Sequence, residues 1–176
     1  MPTYAAFLRG VSPLNATMAE LKQCLETAGF GNVKTVLGSG NVVFDSRAAS
    51  RESLERKIEA AMKKHLDRVF ATTVRSIEEL AAMQAADPYK SFALPAEAKR
   101  VVTLLHAKPT AKVKLPIELD DAQILCVKGT EVFSAYVRNA KGPVFMALIE
   151  KTFGKDLTTR TWDTIGKVVK SGRQPG

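Results

Sequence analysis

Between two short runs of β-forming residues, 33–37 and 41–44, the chain has only Gly38-Ser39-Gly40 in which to reverse. A connection of three residues, two of them glycine, leaves room for a hairpin and little else. The segments around that hairpin then fall into order. Residues 3–9 form a compact apolar run closed by Arg9-Gly10, which suits a buried central strand. Thr17 and Glu20 stand at capping-box spacing, Met18, Leu21, Leu25 and Ala28 recur at helical intervals, and Gly29 supplies a stop. After the hairpin, Ser50 or a near neighbour caps a second helix whose Leu54, Ile58, Ala61 and His65 share a face, widened by Met62 and Leu66. Residues 69–75 give a fourth strand, and Ser76 with Glu79 repeats the capping spacing ahead of a helix reaching about residue 85. Strand, helix, strand, strand, helix, strand is a βαββαβ unit of the ferredoxin-like kind.

The second half repeats the pattern with different residues. Residues 86–98 hold two prolines and little periodicity, so the expected organisation is an N-terminal subdomain over 1–85, a linker over 86–98 and a C-terminal subdomain over 99–176. A β-forming run at 100–106 is followed by runs at 123–127 and 130–137 around Lys128-Gly129, a second hairpin signal. Gly142-Pro143 opens a helix with proline in its tolerated first turn. Phe145, Leu148, Ile149 and Phe153 form its stripe, and Gly154 ends it. A brief extended piece at 157–160 leads to a last helix carrying Trp162, Ile165, Val168 and Val169. The fold class is therefore α+β, with two ferredoxin-like subdomains, mainly antiparallel sheets and a C-terminal helix. The duplication is one of pattern, without a visible residue repeat.

Composition narrows the function classes. A chain of 176 residues with 45% apolar content can bury a real core. It has no apolar run of about eighteen residues, and its start lacks a signal peptide's basic region and apolar stretch, so a cytoplasmic location without membrane association is expected. Cys24 and Cys126 are too far apart in sequence for a paired-cysteine zinc motif, and both read as buried reduced thiols. With His65 and His106 as the two histidines, neither a metal site nor a cofactor is expected. The net charge of +8 is uneven: residues 1–85 carry +2 and residues 86–176 carry +6. A basic surface draws polyanions or phosphorylated ligands, although lysines also serve simply as a solvated face.

Phe7-Leu8-Arg9-Gly10-Val11, Met18-Ala19-Glu20-Leu21, Gly29-Phe30 and Ser39-Gly40-Asn41-Val42-Val43-Phe44, with Thr159-Arg160-Thr161-Trp162 near the end, resemble the bacterial domain-of-unknown-function family DUF1697. The resemblance implies two ferredoxin-like α+β subdomains and carries no established activity. Members commonly continue Arg-Gly-Val with Asn-Val-Gly-Gly and a longer basic loop. This chain instead reads Val11-Ser12-Pro13-Leu14-Asn15-Ala16-Thr17, without glycine and with a proline that has no N–H to offer a phosphate.

In a βαββαβ sheet the first and third strands are antiparallel neighbours, so Arg9-Gly10 should lie beside Ser39-Gly40-Asn41. The expectation is an anionic or phosphorylated small ligand, nucleotide-like, at that corner. Arg9 would be its forked donor, Ser39 and Asn41 polar contacts, and Gly38 and Gly40 points of close backbone approach, with Gly10 also among the site residues. The free N–H groups of the helix begun by Thr17 would add to it. The competing reading is that Gly38-Ser39-Gly40-Asn41 is what a tight hairpin demands, and that Arg9 ties down a loop carbonyl. Arg160 and Trp162 form a second candidate, with Trp162 either stacking a base or anchoring the last helix. Two other classes stay open. One is nucleic-acid binding through the basic C-terminal half, or through Tyr4, Phe7 and Phe44 on the strands. The other is an enzyme acting on a phosphorylated small molecule, for which the spacing identifies no catalytic residue. A monomer or weak homodimer is expected.

Overall fold

A computed structural model describes residues 1–110, 112–139 and 144–175. The chain divides into two compact units, Met1–Ala85 together with the segment from Gly166 onward, and Ala86–Ile165. In the first unit the order is β1 (Thr3–Leu8), α1 (Met18–Thr27), β2 (Gly31–Val36), β3 (Asn41–Asp45), α2 (Arg51–His65), β4 (Thr72–Ser76) and α3 (Ile77–Ala86). Its four strands lie in the order β2-β3-β1-β4, all antiparallel, which is the ferredoxin-like arrangement.

Alternation along the strands sends Tyr4, Ala6, Leu8, Val42, Phe44 and Val74 to one face. There they pack against Leu21, Cys24 and Leu25 of α1 and Leu54, Ile58 and Met62 of α2. Both helices start where the side chains dictate. Thr17 and Glu20 close a reciprocal capping box on α1, and the Ser50 hydroxyl accepts the Ser53 N–H on α2. The opposite face carries Ala5, Phe7, Asn41, Val43, Thr73 and Arg75, all of them buried. At the free edge of the sheet, Val74 turns its backbone outward. The Glu55 carboxylate accepts its N–H at 2.8 Å, and the Arg75 guanidinium donates to its carbonyl at 2.9 Å. Opposite charges from a helix and from the strand itself thus satisfy an edge that would otherwise present unpaired groups.

The second unit runs through a single 3-10 turn (Pro88–Ser91), β5 (Lys99–Leu105), β6 (Ile117–Leu119), β7 (Ala122–Lys128), β8 (Glu131–Tyr136), α4 (Val144–Phe153) and β9 (Leu157–Thr161). Helix α5 (Trp162–Arg173) begins in this unit and continues into the segment grouped with the first. The strand order is β6-β7-β8-β5-β9. Setting aside β6, a three-residue addition at the edge, the order is again second, third, first, fourth. The described residues between Leu105 and Ile117 form no helix, so among them α1 has no counterpart. The helix opening expected at Gly142-Pro143 lies outside the described residues. Within 86–98, the ring of Tyr89 is buried, and its hydroxyl donates to the Val101 carbonyl at 2.7 Å.

The two units agree in detail where their last strands meet their last helices. Leu8 N–H donates to Gly40 O at 2.9 Å, and Leu105 N–H donates to Thr130 O at the same distance. Arg75 and Arg160 both occupy the fourth position of a five-residue edge strand, and each donates through Nη1 to the carbonyl of the residue before it. Each strand then passes directly into a helix capped by the hydroxyl of the strand's last residue, Ser76 onto Glu79 N–H and Thr161 onto Thr164 N–H.

Candidate functional site

The β1–β3 pairing sets the site's geometry. Phe7 stands opposite Asn41, and the Leu8–Gly40 hydrogen bond carries the pairing one step further, so Arg9 and Gly10 leave the sheet beside Ser39 and Gly40. Gly40 is held at φ +88°, and a Cβ there would lie 2.9 Å from Val11 Cγ2 and 3.1 Å from the Leu8 carbonyl oxygen. The tight approach at Gly40 therefore belongs to the chain's own packing. Gly10 and Gly38 differ, because nothing lies within 4 Å of where a side chain would stand on either. Arg9 is half-buried and its backbone N–H donates to Ala71 O at 2.9 Å, which fixes the start of its side chain at the mouth of the corner.

Asn41 is fully buried, and its amide donates to Val36 O at 2.9 Å and to Ser39 Oγ at 3.0 Å. Both bonds tie the two sides of the hairpin together. The first turn of α1 is also committed: the Glu20 carboxylate accepts the Thr17 N–H, so the negative charge that suits a helix start is already built in. The loop between is tied by Asn15, which accepts the Ser12 N–H and donates to Gly10 O.

Arg160 and Trp162 belong to the other unit. Burial pushes the Arg160 guanidinium down to about 10. Trp162 meets Tyr89 edge-on at 5.1 Å and Phe133 at 6.3 Å, a packed aromatic cluster. Burial also pushes the Tyr89 phenol up. Tyr4, Phe7 and Phe44 are buried, so none is presented for stacking on a base. Burial raises both cysteine thiols, which disfavours the nucleophilic thiolate. Among the described residues no group of three His, Cys, Asp or Glu is placed to hold a metal, and no helix is long and apolar enough to cross a membrane.

Two buried charged residues escaped the sequence reading. Glu55 had a signal, since it shares helical spacing with Ile58 and Met62 on the apolar stripe. Arg75 had a better one. Thr73-Val74-Arg75-Ser76-Ile77-Glu78 recurs as Thr158-Thr159-Arg160-Thr161-Trp162-Asp163, a local repeat within halves that otherwise share only a pattern.

The family model described as "Protein of unknown function (DUF1697)" matches residues 1–133. Among solved structures, the chain is similar to the conserved bacterial protein SP0830 from Streptococcus pneumoniae. The two are 22% identical with a TM-score of 0.72, and the match covers 99% of each chain. No curated protein matches the chain.

Proposed function

Starting from a chain that belongs to the DUF1697 family, we propose that it is a cytoplasmic binding protein for an anionic, phosphorylated small ligand of nucleotide-like size. The β1–β3 corner is its site. Arg9 is the charged contact, and the Ser39 hydroxyl and the backbone beside Gly10 and Gly38 complete the surface. Asn41 and Gly40 hold the hairpin in shape and do not touch the ligand.

The observation that carries this reading is the open space over Gly10 and Gly38 beside a half-buried arginine at the end of the central strand. Backbone that can be approached closely next to a forked cation suits a phosphate. The two free cysteines agree with a reducing compartment. The nucleic-acid reading rests on the net charge of the C-terminal half, and the burial of the strand aromatics removes its stacking platform.

Thermal unfolding of wild type and Arg9→Ala with AMP, ATP and glucose 6-phosphate tests the proposal. At least one should raise the wild-type Tm by several degrees at saturating concentration and leave Arg9→Ala unmoved. Failure of all three on wild type, or equal shifts in both proteins, contradicts it.

A further inference from the structure

We propose that the end of the first unit at which β1 stops docks on an anionic lipid membrane, through apolar side chains on three loops backed by cations. Strand pairing brings those loops to one place. Leu8 N–H donates to Gly40 O, Leu8 stands opposite Thr72 in β4, and Arg9 N–H donates to Ala71 O, so the segments 9–17, 37–40 and 66–71 all leave the sheet at one end. Each carries a large apolar side chain in solvent: Leu14 is 98% exposed, Leu37 48% and Val69 43%. Among the described residues the other exposed large hydrophobics are the N-terminal Met1 and Leu119 of the second unit. Apart from Met1, the large apolar side chains that the first unit exposes therefore gather at this end.

The backbone itself holds two of the three outward. Ser12 N–H donates to the Asn15 side chain, the N–H groups of Asn15 and Ala16 donate to Ser12 O, and the Asn15 amide donates to Gly10 O, which closes a turn with Leu14 at its tip. Leu37 sits at φ +61°, a left-handed conformation that a bulky side chain rarely adopts, and it is not held there by burial. Asparagine or glycine would fit that backbone with less strain, so an exposed leucine there calls for an apolar contact outside the chain.

Charge selects the occupant. Helix α2 ends at the same side of the unit with Lys63 and Lys64 exposed in its last turn, and Arg68 is exposed in the segment that follows. Together with Arg9 they outnumber the acids on these segments and helix ends, Asp67 and Glu20, and Glu20 already accepts the Thr17 N–H. Apolar tips backed by cations suit anionic headgroups, because the tips enter the interface while the Lys and Arg heads stay level with the phosphates. A folded partner would need a separate pocket for each tip, whereas a fluid interface takes each where it stands. Among the described residues no helix is long and apolar enough to cross a membrane, and a peripheral contact of this kind needs none. The face goes beyond the small-ligand site, since its apolar tips and its α2 charges lie outside Arg9, Ser39 and the two open glycines.

The test is co-sedimentation of the full chain with vesicles of phosphatidylcholine alone and of an equal mixture of phosphatidylcholine and phosphatidylglycerol. Wild type should sediment with the mixed vesicles and stay in solution with the neutral ones. The double variant Leu14→Ser/Leu37→Asn changes two exposed side chains, leaves the charge as it is, and should bind the mixed vesicles at least about tenfold more weakly. Lys63→Glu/Lys64→Glu should lose binding by at least about as much. Lys112→Glu/Lys114→Glu makes the same change of charge on exposed residues of the second unit and should bind as wild type does. Wild type that stays in solution with both vesicles, a leucine variant that binds as wild type does, or equal losses in the two charge variants overturns the proposal.

Discussion

Gly40 combines two constraints that a side chain cannot meet together: a left-handed φ of +88° and a neighbour, Val11, already where a Cβ would go. Gly40→Ala should therefore cost about 2 kcal/mol, from backbone strain and overpacking. Gly38→Ala, with open space around it, should stay within about 0.5 kcal/mol by urea unfolding. Glu79 makes a pH prediction. Its burial raises its pKa, but the Ser76 N–H and the Arg51 guanidinium at 2.6 Å overcome that and hold the carboxyl below its ordinary 4.5. A depressed folded-state pKa contributes stability that is present above the unfolded value and lost as pH falls through the folded one. Because the pair is partly exposed, the contribution is small. Glu79→Gln should cost about 0.5–1 kcal/mol at pH 7, and the gap to wild type should narrow as pH falls below the carboxyl's ordinary 4.5.

At the scale of elements, α5 shows how two glycines in one helix differ. A Cβ on Gly172 would fall 2.5 Å from Ile77 of α3, whereas one on Gly166 would meet only the flexible end of Gln84, at 3.0 Å. Gly166→Ala should thus be stabilising by up to about 1 kcal/mol through helix propensity, and Gly172→Ala destabilising by about 1–3 kcal/mol, read as opposite shifts in denaturation midpoint. Caps and hairpins were the most legible elements. Thr17/Glu20, Ser50 and Ser76/Glu79 all cap the helices their spacing predicts, because these signals act within four residues. The fourth strand starts at Thr72 and not near Val69, since pairing to Leu8 decides its beginning and β-propensity does not. Strand β6, three residues at an edge, is too short to leave a periodic signal.

At the scale of the molecule, antiparallel pairing of the first and third strands followed from the βαββαβ order of elements, and it placed Arg9-Gly10 beside Ser39-Gly40. What the sequence did not carry was the use of each side chain there. Asn41 reads equally as a ligand contact or a hairpin lock until its amide is seen on Val36 and Ser39. Arg75 was legible only as a repeat of the stretch around Arg160, too short to notice without the strand order. The central claim concerns Arg9, and isothermal titration of AMP into wild type and Arg9→Ala at about 50 and 200 mM salt tests it most directly. The account predicts a one-to-one complex in wild type, weakened by added salt and at least about tenfold weaker in Arg9→Ala. Equal affinities in the two proteins would contradict it.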